Sequence, residues 1–467
     1  MGACSLRCAT PAHIELRLLL SYFVTAGFPS GQSLISQTAP IETLGTRHLV
    51  LVLGALGTAC GGPTAALPGY APDVVVSPRR ATLVPGSTIG LTAIGPTHAI
   101  NWTSLNRGVA TVDSFGTVRA VALGVAMIVA AGGNSGKLAD TATVAVDPPL
   151  RSLASVHHLL VGVAVDMNAF HSDAHYSQTL AAEYSSVTPE WIMKFGSIHP
   201  GPNQYSFADP DSLVSFALTH GMVVHGHTLV WGAALPAWVS GGTFTRDQLL
   251  KVLGDHIATV VGRYRGKVAS WDVVNEVVGD TTPLRNTLWL QVIGPAYIDS
   301  AFVWAHRADP GAKLYLNETH AEGINAKSTA TLTLVQALRA RGIPIDGVGF
   351  QAHFALTPPP PTAADLAANL ARFVSAGFDV RVSEMDVRIA DSAQASALDQ
   401  QAAIYHDMLD ACLRVSPHCT AFTTWGFTDR HSWIPKFYPG YGRALPFDGT
   451  YQSKPAYTAL LTRLQQP

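Results

Sequence analysis

The chain has 467 residues, of which 48 % are hydrophobic and 13 % charged, with a net charge of −2. That composition supports large cores in two or three domains and argues against long disorder in the main body. The absence of a basic run or stripe argues against nucleic acid as a partner. Nine Trp and thirteen Tyr suit a sugar-binding cleft as well as ordinary packing, and composition does not separate the two.

Residues 1–46 are weakly patterned. Arg47-His48 then precedes an apolar run over 49–56 and small residues up to Cys60. A basic start, a short apolar core and a small-residue end describe a secretory signal, and the run is too short to span a bilayer stably. A signal belongs near a chain start, so the true start codon is expected just upstream of Arg47. The Ala59-Cys60-Gly61 end resembles a bacterial lipoprotein site, although Gly57 departs from the usual Leu. Residues 61–71, rich in Gly, Pro and Ala, read as a linker. Segment 1–71 is thus a leader plus linker. The protein is expected to be secreted or at the cell surface, with membrane attachment only through a lipid on Cys60.

Residues 72–147 carry short β-rich runs at 74–76, 87–93 and 140–146, punctuated by Gly and Pro. The spacing predicts a small β-sandwich. Ile100-Asn101-Trp102-Thr103-Ser104, Val109-Ala110-Thr111-Val112-Asp113 and Gly116-Thr117-Val118-Arg119-Ala120-Val121, with Gly124, resemble the bacterial Ig-like group 2 domain. Trp102 is then a core residue, and the resemblance implies a spacer or adhesion role.

From about residue 150 strands and helices alternate. Strands are predicted at 159–165, 186–188, 222–226, 268–274, 313–316, 346–350, 379–383 and 421–425, with helices such as 213–219, 246–264, 326–341 and 364–376. Eight strand–helix units over 150–467 predict an α/β fold, a (β/α)8 TIM barrel, which typically takes ~250 residues. Pro358-Pro359-Pro360-Pro361 reads as a rigid loop on the active-site face.

Two of these strands share a form. Trp271-Asp272-Val273-Val274-Asn275-Glu276 and Val380-Arg381-Val382-Ser383-Glu384-Met385-Asp386 are apolar runs ending in a Glu. Each has a plain reading, a polar strand end before a turn, and a chemical one, a carboxylic acid at the carboxyl end of a barrel strand. Two such carboxylates are the minimum for glycoside hydrolysis. Lys194, His225, His227, Trp231, Asn317, Gln351, His353, Trp425 and Trp433 lie at or just beyond other strand ends. No packing need explains so many polar and aromatic tips on one face.

The barrel region resembles glycoside hydrolase family 10, the retaining endo-β-1,4-xylanases. The matching segments are Gly226-His227-Thr228-Leu229-Val230-Trp231, Trp271-Asp272-Val273-Val274-Asn275-Glu276, Gly349-Phe350-Gln351-Ala352-His353, Ser383-Glu384-Met385-Asp386 and Thr424-Trp425-Gly426. The resemblance implies that Glu276 is the general acid/base, in a hydrophobic, partly desolvated setting that favours its protonated form. It implies that Glu384 is the nucleophile, supported by His353 and Asp386, and that Asn275 bonds the sugar 2-hydroxyl. Lys194, His227 and Gln351 fall at sugar-binding positions, and Trp231, Trp425 and Trp433 at aromatic walls. Glu190 reads as a structural hydrogen-bonder. The substrate is expected to be xylan or xylooligosaccharides.

This chain departs from the family on one side of the cleft. Trp191 stands where Asn is usual, Gly232 for His, Ala234 for Gln, and Glu318, Thr319 and His320 for Asp, Tyr and Asn. Several of these positions bond the second sugar on the non-reducing side, and losing an amide contact there costs ~1 kcal/mol or more. Two alternatives follow: a retaining β-glycosidase of the same fold with altered glycone preference, or a non-catalytic carbohydrate-binding surface protein. No Cys/His spacing suits zinc, so no metal is expected, and no cofactor, since both reacting groups are carboxylates. Cys412 and Cys419, close together in an exported chain, are expected to form a disulfide.

Overall fold

The computed structural model describes residues 74–95, 99–132, 138–280 and 283–467. The signal-like run, Cys60 and the linker lie outside the described residues. No helix among the described residues is long and apolar enough to cross a membrane.

Residues from Val75 to Val146 form a β-sandwich. A four-stranded sheet of Arg80–Leu83, Leu138–Val146, Gly124–Gly132 and Ile100–Ser104 faces a three-stranded sheet of Thr88–Gly90, Thr117–Ala120 and Ala110–Val112. Alternate residues such as Val118, Ile128 and Val144 are buried, and Trp102 packs against that core. The run over 87–93 is two strands rather than one. Thr88–Gly90 pairs with Thr117–Ala120, while Thr92–Ile94 pairs with Val75–Ser77. The chain changes partner at buried Leu91, whose N–H is taken by the Gly116 carbonyl at 2.9 Å. Gly116 has φ +86°, and a Cβ there would lie 2.5 Å from that Leu91 carbonyl oxygen and 2.9 Å from the Trp102 ring. Only glycine fits such a position.

Eight parallel strands then close into a barrel: Leu160–Val165, Ser186–Pro189, Val223–Gly226, Ser270–Asn275, Lys313–Glu318, Gly347–Phe350, Asp379–Ala390 and Cys419–Thr424. The first pairs with the eighth, and the third with the fourth, which completes the ring. The strands are buried along nearly their whole length, the pattern of a parallel sheet covered on both faces. Helix Ala208–Thr219 starts five residues earlier than the apolar pattern predicts. Its first turn holds Pro210, tolerated there because the first N–H groups have no helical partner, and Asp209 and Asp211, which suit the helix N-terminus. Helix Arg246–Arg263 begins with a capping box between Thr245 and Gln248. A disulfide joins Cys412, in helix Ala397–Leu413, to Cys419 at the start of the eighth strand, with Cα atoms 5.4 Å apart.

The seventh strand, predicted over 379–383, runs on to Ala390. Its extension pairs with the short strand His353–Ala355 on one side and with Tyr441–Gly442 on the other. The proline run 358–361 follows that short strand, which no sequence pattern anticipated.

Candidate active site

The carboxyl ends of the barrel strands assemble the site. Glu276 follows the fourth strand directly and has φ +54°. Such a backbone costs a non-glycine residue roughly 1–2 kcal/mol, and it is held here by the Asn317 carbonyl, which accepts the Glu276 N–H at 2.9 Å. Gln351 Nε2 donates to Glu276 Oε1 at 3.1 Å. Arg285 Nη1 lies 3.2 Å from Oε2. The hydrophobic setting expected for Glu276 is therefore corrected. Its side chain is 15 % exposed and rests against a guanidinium and an amide.

Glu384 lies inside the seventh strand and is 5 % exposed. Asn317 Nδ2 donates to its Oε1 at 2.5 Å, and His353 Nε2 bonds Oε2 at 3.0 Å. Burial acts to raise this carboxyl, but His227, the His353 bond and Lys194 outweigh it and hold Glu384 below its ordinary value. His353 Nδ1 bonds Asp386 Oδ2 at 2.9 Å. Burial disfavours the imidazolium, yet Asp386 and Glu384 together push His353 up to about 10. At neutral pH His353 is thus a cation that donates from both nitrogens.

One chain of hydrogen bonds links the two glutamates. It runs from Glu276 Oε1 to Gln351 Nε2 at 3.1 Å and on to Asn275 Oδ1 at 3.4 Å. From there it passes to Asn317 Nδ2 at 2.9 Å and to Glu384 Oε1 at 2.5 Å. Asn275 Oδ1 is occupied twice, so what it offers a sugar hydroxyl is its Nδ2 donor. Asn317, which the sequence marks only as a polar strand end, is the hub, and Ser383 Oγ donates to its Oδ1 at 2.6 Å.

His227 is buried at the same mouth, with Nδ1 2.9 Å from Asp272 Oδ2 and its ring edge-on to Trp425 at 5.1 Å. Lys194 is buried beneath aromatic rings, its Nζ 3.8 Å from the Trp191 centroid, 4.9 Å from Trp231 and 5.6 Å from Trp425. Burial lowers its pKa, opposed by Glu384, Glu190 and Glu276. Trp433 Nε1 donates to Asp386 Oδ2 at 2.8 Å. His225 does not join this set. It lies within the barrel, 3.0 Å from Asp272 and 2.5 Å from Arg381. Burial, with Arg381 adding to it, pushes its imidazole down to about 4. An Asp within a buried apolar strand was the available signal for Asp272. Arg285 sits nine residues past Glu276 in a loop without any motif.

At one of the departures, Gly232, the space is filled. A Cβ on Gly232 would lie 2.5 Å from Thr287 Cγ2, so Thr287 occupies space that a side chain at 232 would need. Glu318 is buried and paired with Lys327 at 3.2 Å. Burial pushes it up to about 7. Among the described residues, no group of three or more His, Cys, Asp or Glu is arranged to hold a metal ion.

Known proteins resemble this chain in sequence and fold. The profile of glycosyl hydrolase family 10 matches residues 149–463, and that of the bacterial Ig-like domain, group 2, matches residues 71–144. Endo-1,4-beta-xylanase B of Thermotoga neapolitana is 40 % identical over 323 residues, spanning 68 % of this chain and 92 % of that protein. Endo-1,4-beta-xylanase A of Phanerodontia chrysosporium is 36 % identical, over 65 % of this chain and 73 % of that protein. The crystal structure of xylanase 10B from Thermotoga petrophila, solved with xylobiose, is 40 % identical with a TM-score of 0.66, covering 68 % of this chain and 98 % of that one. With the barrel closed and two glutamates linked across its mouth, the chain belongs to glycosyl hydrolase family 10 and carries a bacterial Ig-like domain ahead of its catalytic barrel.

Proposed function

We propose that the protein is an endo-1,4-β-xylanase that hydrolyses the xylan backbone by double displacement with retention of configuration. The observation that carries this reading is the bridge Gln351–Asn275–Asn317 between Glu276 and Glu384 at the mouth of a family 10 barrel. In the first step the Glu384 carboxylate bonds to the anomeric carbon while the glycosidic C–O bond breaks. Glu276 gives its proton to the departing oxygen. In the second step water attacks the same carbon, Glu276 takes a proton back, and Glu384 is released as a carboxylate. His353 keeps Glu384 ionised, and Asp386 and Trp433 orient His353. Lys194, His227, Gln351 and the rings of Trp231, Trp425 and Trp433 surround the bound sugar.

Release of a ladder of xylooligosaccharides from xylan, with the β-anomer formed first by NMR, tests this. Activity confined to short or aryl glycosides would favour the altered β-glycosidase. Binding to xylan with no reducing sugar released at any pH would favour the non-catalytic alternative.

We further propose the organisation 1–71 leader and linker, 72–147 Ig-like spacer and 150–467 catalytic barrel, with export to the cell surface or medium. The basic-apolar-small pattern ending at Cys60 supports export. Metabolic labelling with a fatty acid, lost in Cys60→Ala, is expected if the protein is lipid-anchored. Unlabelled protein recovered in the medium would leave secretion alone.

A further inference from the structure

Two large rings at the mouth of the cleft are exposed without a packing reason. Trp191 is 40 % exposed and Phe437 47 %. Trp191 comes from the loop after the second strand and Phe437 from the end of the short helix Ile434–Phe437 after the eighth. Their planes are 18° apart and their centroids 6.2 Å apart, an offset arrangement that makes one shelf rather than a closed sandwich. Trp433 adjoins Phe437 at 5.3 Å and is itself bonded to Asp386. Trp433 is tilted 52° to Phe437, so the near-parallel surface consists of Trp191 and Phe437, with Trp433 linking it to Asp386.

The Trp191 ring is pinned from its buried side. The Lys194 ammonium lies 3.8 Å from its centroid, a cation–π contact that gains strength because Lys194 is desolvated. The Trp191 ring carries a cation against one face and stacks beside Phe437, yet 40 % of the residue stays exposed, a surface available for stacking. The apolar face of a pyranose, lined with axial C–H bonds, is what such a surface takes.

We propose that Trp191 and Phe437 form a glycone subsite that binds the second sugar ring by stacking on its face, in place of the hydrogen bonds an Asn at this position would make. The proposal rests on the xylanase reading above. Stacking reads the face of the ring and leaves its edge hydroxyls unread, so a ring bearing an edge substituent is accommodated as well as a bare one.

The test compares an aryl β-xyloside, which fills one glycone subsite, with the aryl β-xylobioside, which fills two. The readout is the ratio of kcat/KM for the xylobioside to that for the xyloside, in which any general loss of active enzyme cancels. Trp191→Ala should lower the ratio roughly tenfold. Phe437→Ala should lower it by a smaller factor, and Trp191→Phe should keep most of it. A ratio that stays level or rises in both alanine variants overturns the proposal, a rise meaning that Trp191 obstructs the subsite. Xylan digestion by the unaltered protein is run alongside. A xylooligosaccharide ladder with a level ratio sinks the shelf alone, whereas no ladder sinks the xylanase reading whatever the ratio does.

Discussion

His353 Nε2 lies 3.0 Å from Glu384 Oε2 while the other ring nitrogen is spent on Asp386 at 2.9 Å. The imidazole is thus a fixed positive group between two buried carboxylates, and Glu384 stays ionised through it. His353→Ala should lower kcat roughly a hundredfold, the scale seen when one donor to a reacting charge is removed. Asp386→Asn should lower it by a smaller factor and move the pH profile, because the imidazolium loses one of its two counter-charges. Initial rates on xylan from pH 4 to 9 check both. An Asp386→Asn profile superimposable on that of the parent would refute the relay.

The two glutamates should separate by leaving group. Glu384→Ala should abolish turnover on every substrate. Glu276→Ala should lose about 10²–10⁴-fold on xylan, where the departing alkoxide needs a proton. It should lose far less in the glycosylation step on a dinitrophenyl glycoside. Burst kinetics on the aryl substrate measure that step directly, and equal losses on both substrates would remove Glu276 from the acid role.

The filled space at Gly232 predicts a steric coupling. Gly232→Ala places a methyl 2.5 Å from Thr287 Cγ2, and Thr287 is held in place because it caps helix Leu288–Ile293 through Leu290 N–H. The cost should be about 1–3 kcal/mol. Adding Thr287→Ser removes the clashing methyl, keeps the capping hydroxyl and should recover most of the loss. Urea midpoints of the three variants decide it, and additivity of the two changes would argue against the contact.

Removing the Cys412–Cys419 link, which spans seven positions, should cost about 2–3 kcal/mol on the chain-entropy account. Cys412→Ala/Cys419→Ala should melt several degrees lower than the parent. Adding a reducing agent to the double variant should change nothing further.

Stability should peak on the acid side of neutrality. Burial pushes Glu183, Glu190 and Glu318 up to about 7, whereas an unfolded Glu titrates near ~4.3. Between those values the native state keeps protons the unfolded chain has lost, so stability falls as pH rises through that window. His353 acts in the same direction. With its folded value at about 10 and its unfolded value near ~6.5, its stabilisation is full below ~6.5 and is lost on the way to 10. Asp272 and Glu384 are held low by their histidine partners despite burial, so their contribution is present above ~4 and disappears in stronger acid. Summed over these groups, the melting temperature should therefore be highest at about pH 4–5 and fall towards pH 7. A maximum at pH 8 or above would contradict this, and Glu183→Gln should flatten the slope between pH 5 and 7.

The barrel was legible because each strand is a short apolar run bounded by turns, and because polar residues at the run ends have no role in packing. Where that contrast fails, so does the reading. Glu384 and Asp386 look like the end of a strand because they are polar, but their strand continues on partners contributed by 353–355 and 441–442, which local pattern does not reveal. His225 alternates correctly for a cleft residue, yet buried Arg381 and Asp272 draw it below the floor. Arg285 touches Glu276 only because a loop folds back, and no spacing rule announces a loop. In the sandwich, the split at Leu91 was hidden because both halves of 87–93 are equally β-like. What divides them is the close approach of Gly116.

The extension of the seventh strand gives the two glutamates different mechanical footings. Glu384 is set midway along a twelve-residue strand braced by neighbours above and below it. Glu276 stands on a single left-handed residue just past the end of its strand. The proposed nucleophile is thus braced by strand pairing, and the proposed acid/base by a strained turn held through the Asn317 carbonyl.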